Sequence, residues 1–401
     1  MRRRLVAFMV LCALACCAVA FAGPGQGPSG VAHYEFVARG RLYVYNIDER
    51  PSLVGSFALP GVTEIRGISA SAATAMLYVS YGGFPNGNGH LLEFSLSRRK
   101  IVYARGYRFG IDSFDISRDG QLIFMPTGEN TSGQTWYVLA AATGRVVGAI
   151  SAGRSPHDTV VGANGQHVFL GGASGRYLYE ADATRPWTVL RWMGPLEPVA
   201  VAGVRPFTIN GQDTLAFTTG DRYLGFQISN IATGKVLYTV PLPGFTIPPT
   251  DTQMTVSHGI GLSPDQRYLW LVDEPHRAVH QFDISGLPRK APMLVATVHV
   301  SSRPGWLNLS RDGRYLFVGN AGNVIDTRTR KTVATLGALT NSRYNIEVDR
   351  LGSWVCAAYP REALGYLHTL RHRAALEHTE PDVTLTLRRP RLSCTSPPPS
   401  R

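Results

Sequence analysis

Seven side chains able to bind charge or move protons recur along this chain at a common phase. Arg66, Asp112, His157, Arg205, His258, Arg303 and Arg343 follow one another at intervals of 40 to 53 residues, and Tyr344 falls at the same phase. Histidine takes or gives a proton near neutral pH, and a carboxylate beside it fixes which ring nitrogen is protonated. Arginine presents a planar fork that grips carboxylates and phosphates. Such a set suits binding of a small anion. It also suits acid–base chemistry on one, with arginines stabilising the negative charge that develops. Each member has a structural use as well. Asp112 can cap a turn, and the arginines can tie segments together through Asp158, Glu64 or Asp115.

Other chemical signatures are missing. The sequence has no Cys-x-x-Cys, no Cys-x-x-Cys-His, no His-Glu-x-x-His, no Gly-x-Ser-x-Gly and no phosphate loop. Glu64, Asp112, His157 and His258 are of metal-ligating types. Their spacing only follows the common phase, so neither a metal nor a cofactor is expected. The glycine-rich stretch 82–89 reads as a strand connection at the rim.

What must position these residues is a repeat. Short runs of β-branched and aromatic residues, cut by Gly, Asn, Asp and Pro, fill the body, and helical periodicity is nearly absent. The clearest copies are Asp115–Phe124, Asn308–Phe317 and Gly261–Trp270. Each carries a Ser-x-Asp turn between two strands, with Gly120 and Gly313 completing it in two of them. Looser copies precede Leu77, His167, Leu215 and Trp354. A second turn, Thr143-Gly144-Arg145 and Thr233-Gly234-Lys235, keeps the same beat and returns at Thr329. A four-strand unit of this period means propeller blades. The count gives an all-β, seven-bladed β-propeller, and one misread unit would make it six or eight. Strands at 42–48 and 53–57 have no blade of their own, so the N-terminal segment is expected to close the last blade and remove the unpaired edges. The propeller is placed at 33–367. The first strand of each blade lines the channel, which gathers Arg66, Asp112, His157, His258 and Tyr344 at one mouth, with Arg205, Arg303 and Arg343 close by, as a mostly cationic ring.

The two ends read differently. Arg2 to Arg4, the apolar stretch 5–20 and Ala20-Phe21-Ala22 form a secretory signal over 1–22, followed by a linker over 23–32. The apolar stretch is short for a membrane span, and Cys16 lacks a good lipobox. No transmembrane segment is expected after cleavage, and the location expected is periplasmic or secreted. Residues 368–401 read as a disordered basic, proline-rich tail. Cys12, Cys16 and Cys17 leave with the signal. Cys356 is then expected as a buried strand residue and Cys394 as a tail thiol. The net charge of +12 falls to +9 without the three signal arginines. The basic residues are scattered, which argues against nucleic acid. A small anionic ligand or an acidic envelope component is the expected partner, and a monomer the expected state.

The segment His258-Gly259-Ile260-Gly261-Leu262-Ser263-Pro264-Asp265 resembles the repeat unit of the YVTN-type, or YncE-like, bacterial β-propellers. The turns at Asp326-Thr327-Arg328-Thr329 and Ala142-Thr143-Gly144-Arg145 are similar to that family's Asp-x-x-Thr-Gly-Lys turn. The chain departs at Gln266, where the family unit has Gly, and its YVTN strands are degenerate at Leu77-Tyr78-Val79-Ser80 and Leu316-Phe317-Val318-Gly319. The resemblance covers residues 33 to 360 and implies an extracytoplasmic propeller used for binding or as a scaffold. It also implies that His157 and His258 can simply hydrogen-bond within their blades. Related propellers include lactone hydrolases and lyases, so a lactonase-like hydrolase or lyase acting on a small anionic substrate is the alternative. Fold alone does not choose between them.

Overall fold

The computed structural model describes residues 30–84, 87–129, 131–197 and 203–359. Every regular element among them is a β-strand. The strands form seven antiparallel sheets around a common axis, six of four strands and one of five, so the protein is a seven-bladed β-propeller. Blades 1 to 6 occupy residues 65–106, 115–151, 154–193, 204–241, 260–299 and 306–340. Blade 7 joins the two ends of the described chain. Its strands run in the order Trp354–Ala358, Asn345–Leu351, Val31–Ala38, Arg41–Asn46 and Ser52–Ala58. The expected signal and tail lie outside the described residues, and the first strand begins at Val31.

The closure differs in one respect from the sequence expectation. Trp354–Ala358 was expected as the second strand of the last blade. It pairs instead on the far side of Asn345–Leu351, as a fifth strand. The second position is filled by Val31–Ala38, which pairs with Asn345–Leu351 from Val31↔Leu351 to Val37↔Asn345. Polar groups accompany that pairing. Asn345 Nδ2 donates to Glu35 Oε1 at 2.6 Å, His33 Nδ1 meets Asp349 Oδ1 at 2.7 Å, and Arg311 Nη1 donates to Asp349 Oδ2 at 2.9 Å. Cys356 is also a correction. It is buried as expected but disulfide-bonded, with its partner outside the described residues.

The core sits between blades, one apolar cluster for each of the seven interfaces. Phe217 and Phe226 of blade 4, for example, pack with Leu269 and Phe282 of blade 5. Outer strands alternate exposed and part-buried residues, as Lys100–Gly106 does, while inner strands are almost wholly buried. The repeated turns have the expected chemistry. Ser117, Ser263 and Ser310 each donate a hydroxyl to the Asp two residues on, at 2.6, 2.6 and 2.7 Å. Gly120 and Gly313 then take φ of 72° and 73°, and Gln266 adopts 57° in their place. The departure at Gln266 therefore keeps the turn, with a side chain in a backbone region that glycine occupies at less cost.

Candidate functional site

All inner strands run in the same sense, so their first residues gather at one mouth of the channel. Arg66 of blade 1 donates from Nη2 to Asp112 Oδ2 at 2.7 Å and to Glu129 Oε1 at 2.8 Å. His157 of blade 3 places Nδ1 2.9 Å from the same Asp112 oxygen. Arg205 of blade 4 grips Asp221 in a fork, through Nε and Nη2 at 3.1 Å each. Its Nη1 reaches Glu129 Oε2. Glu129, on the loop after the second strand of blade 2, thus bridges arginines from blades 1 and 4 and lies over the channel.

A second group adjoins the first. The His157 and His258 rings lie 6.0 Å apart, and His258 meets Trp306 at 5.6 Å. His258 Nδ1 faces the Gly305 carbonyl at 2.9 Å and Arg343 Nη1 at 2.8 Å. It can donate to the first or accept from the second, never both. A Cβ on Gly305 would sit 2.4 Å from Asn320 Nδ2 and 2.9 Å from Arg343 Nε, so a side chain there would push these two flexible ends aside. Arg303 stands further out, donating to Glu274 at 3.1 Å and Asp251 at 2.8 Å. Tyr344 lies near enough to Arg66 to influence its charge.

Charges at this mouth offset one another. Burial pushes the Asp112 carboxyl up, but His157 and Arg66 outweigh it and hold it below the ordinary carboxylate range. His258 is pushed well below the usual histidine value, first by burial, then by Arg343 and His157, and stays neutral. Burial raises Glu274. The guanidiniums of Arg66, Arg205 and Arg303 all face carboxylates, and Asp112 is only one of them. Glu129, Asp221, Asp251 and Glu274 are the charged neighbours that sequence reasoning missed, so the cationic excess expected of the ring is offset at the mouth. Glu129 had a signal in the topology, since the loop from a blade's second strand to its third emerges at the mouth where inner strands begin.

Two features bear on chemistry. A neutral His157 must carry its proton on Nδ1 to meet the Asp112 carboxylate, which leaves a lone pair on Nε2. Nε2 is buried and makes no hydrogen bond. Asp112, Glu129 and His157 also each place one ligand atom within 4.8 Å of the others. These are ligand types that divalent cations accept. Two guanidiniums already occupy the carboxylates, however, so a cation there would have to displace them.

No family model matches the chain, and no curated protein matches it in sequence. Among solved structures it is similar to a periplasmic gluconolactonase of Pseudomonas aeruginosa, at 15% identity and a TM-score of 0.61, covering 79% of this chain and 99% of that one. It is also similar to a functionally unknown protein from Desulfotomaculum acetoxidans, at 14% identity and a TM-score of 0.50, covering 66% of this chain and 81% of that one. These likenesses concern the fold. Among the described residues no helix is long and apolar enough to cross a membrane.

Proposed function

We propose that the protein binds a small carboxylate-bearing molecule at this mouth of the channel, outside the cytoplasm, with the propeller as a rigid frame. The observation that carries the reading is Glu129 held by Arg66 and Arg205. The mouth already grips one carboxylate from two blades, and Glu129 is the gripped group on a loop. A ligand carboxylate can take its place at little electrostatic cost, because one anion replaces another. That a fold neighbour is a gluconolactonase makes hydroxy acids the first compounds to try.

Calorimetric titration with gluconate and malate tests this. The Glu129→Gln variant removes the competing carboxylate and is expected to bind at least tenfold more tightly than wild type. The Arg66→Ala/Arg205→Ala double variant is expected to lose binding. Equal affinity in wild type and Glu129→Gln would overturn the exchange.

The Asp112–His157 pair favours a second reading, the lactonase-like hydrolase or lyase. Asp112 orients the ring, Nε2 takes a proton from a water or substrate that reaches it once Glu129 is displaced, and Arg66 or Arg205 stabilises the oxyanion. On that reading His157→Gln abolishes turnover of a lactone panel while leaving carboxylate binding within about threefold. Turnover that survives His157→Gln would rule it out.

A further inference from the structure

The seam where the ring closes holds a cavity of about 210 Å³ between blades 7 and 1. Tyr34, Val44 and Phe57 line it from blade 7, Phe94 and Arg99 from blade 1, and Arg350 lies at the end of the inner strand of blade 7. Phe57 and Phe94 form one wall, with ring centroids 5.1 Å apart. The strand Asn345–Leu351 runs away from the Arg343 mouth. At about 3.3 Å per residue the cavity is roughly 20 Å from that mouth, at the opposite face.

Arg350 is the unusual member. Its Nη2 donates to the Ser353 carbonyl at 3.2 Å, whereas Nε is buried and makes no hydrogen bond. No ion pair to a carboxylate among the described residues engages it. Burial, and then the positive charge of Arg99, hold its guanidinium below the ordinary arginine value. A buried donor without a partner is costly, and a cation pressed towards another is relieved by an anion. A volume of about 150 Å³ is enough for benzene, so this pocket, partly open and flanked by Arg99 and Arg350, has room for a phenyl ring with a short acidic arm.

We propose that this inter-blade cavity is a second binding site, for a compact amphipathic anion: one carboxylate on a phenyl-sized apolar body. The carboxylate sits against the Arg350 guanidinium under the added attraction of Arg99. The apolar body packs against the half-buried Tyr34 and Phe57 rings. Such a ligand touches blades 7 and 1 together, so it favours the closed ring by mass action.

Phenylacetate is the probe. Calorimetry and thermal melting are run on wild type and on the Arg66→Ala/Arg205→Ala variant, which lacks the channel-mouth grip. Both are expected to bind phenylacetate equally, with a melting temperature that rises with ligand concentration. In the Arg66→Ala/Arg205→Ala variant, acetate and benzyl alcohol, each lacking one half of the ligand, are expected to bind at least tenfold more weakly than phenylacetate. Arg350→Met keeps the apolar stem and should weaken phenylacetate at least tenfold. Should that variant fail to fold, nuclear Overhauser effects from the phenylacetate ring to the Tyr34 and Phe57 rings of wild type decide. Absent Overhauser contacts, acetate binding the mouth variant as well as phenylacetate does, or phenylacetate binding lost in that variant would each overturn the proposal.

Discussion

Replacing Asp112 by Asn changes one charge and no volume, and it tests how the mouth is held. The carboxylate is 1% exposed. Oδ2 accepts from Arg66 at 2.7 Å, His157 at 2.9 Å and the Glu129 amide at 3.3 Å, while Oδ1 accepts from the Ser113 amide at 3.0 Å. Four donors converge on two oxygens, so an amide nitrogen in either position faces a donor with a donor. Breaking a buried ion pair from one side costs about 3–5 kcal/mol. Arg66 keeps Glu129 here, and the amide oxygen still accepts, which brings the expected loss to about 2–3 kcal/mol. Urea unfolding reads that loss. Nitrogen-15 NMR of the histidine side chains reads a second effect: without the carboxylate, the His157 proton should move from Nδ1 towards Nε2. A variant within about 0.5 kcal/mol of wild type, a typical surface-substitution effect, and with the Nδ1 proton retained, would refute the reasoning.

Three further outcomes follow from the same geometry. The Glu347 carboxyl is pushed up to about 8, first by burial and then by Asp349, while His33 is raised to about 10, chiefly by its hydrogen bond to Asp349. Both groups hold protons in the folded state that the unfolded chain releases earlier. Stability from Glu347 is therefore full below about pH 4.5 and declines towards pH 8, that from His33 is full below about pH 6.5 and declines towards pH 10, and Glu347→Gln should flatten the lower part of this fall in a melting series. Gly305→Ala should push the Asn320 and Arg343 side-chain ends aside at a cost of about 1 kcal/mol or less, and the His258 titration seen by NMR should move up as Arg343 is displaced. Deleting residues 42–57 removes two strands of blade 7 and bares Val31–Ala38 as an edge, so light scattering should show aggregation where the full chain stays monodisperse.

Much of the frame was legible because propeller turns repeat their chemistry. The Ser-x-Asp-Gly turns and the Thr-Gly turns set blade number and phase, and phase placed Arg66, Asp112 and His157 at one mouth. What phase could not convey was which side chains cross the channel. Glu129 comes from a loop outside the repeated strand, and Arg205 reaches it past blade 3. Asp221, Asp251 and Glu274 likewise lie on connections whose lengths vary from blade to blade, so no periodicity announces them. The place of Trp354–Ala358 was hidden for a different reason. Its pattern fits a second strand, but Val31–Ala38 fits that position too, with Glu35 and His33 supplying partners to Asn345 and Asp349. The pocket at Arg350 had no sequence signal, because its lining comes from strands and turns of two blades that no shared phase brings together.

A crystal structure of the Glu129→Gln variant soaked in malate addresses the central claim most directly. The account predicts a malate carboxylate between Arg66 and Arg205, in the place Glu129 holds in the wild type, with Asp112 and His157 unmoved. Malate bound elsewhere, or Arg66 and Arg205 turned to other protein carboxylates with the mouth closed to the ligand, would contradict it.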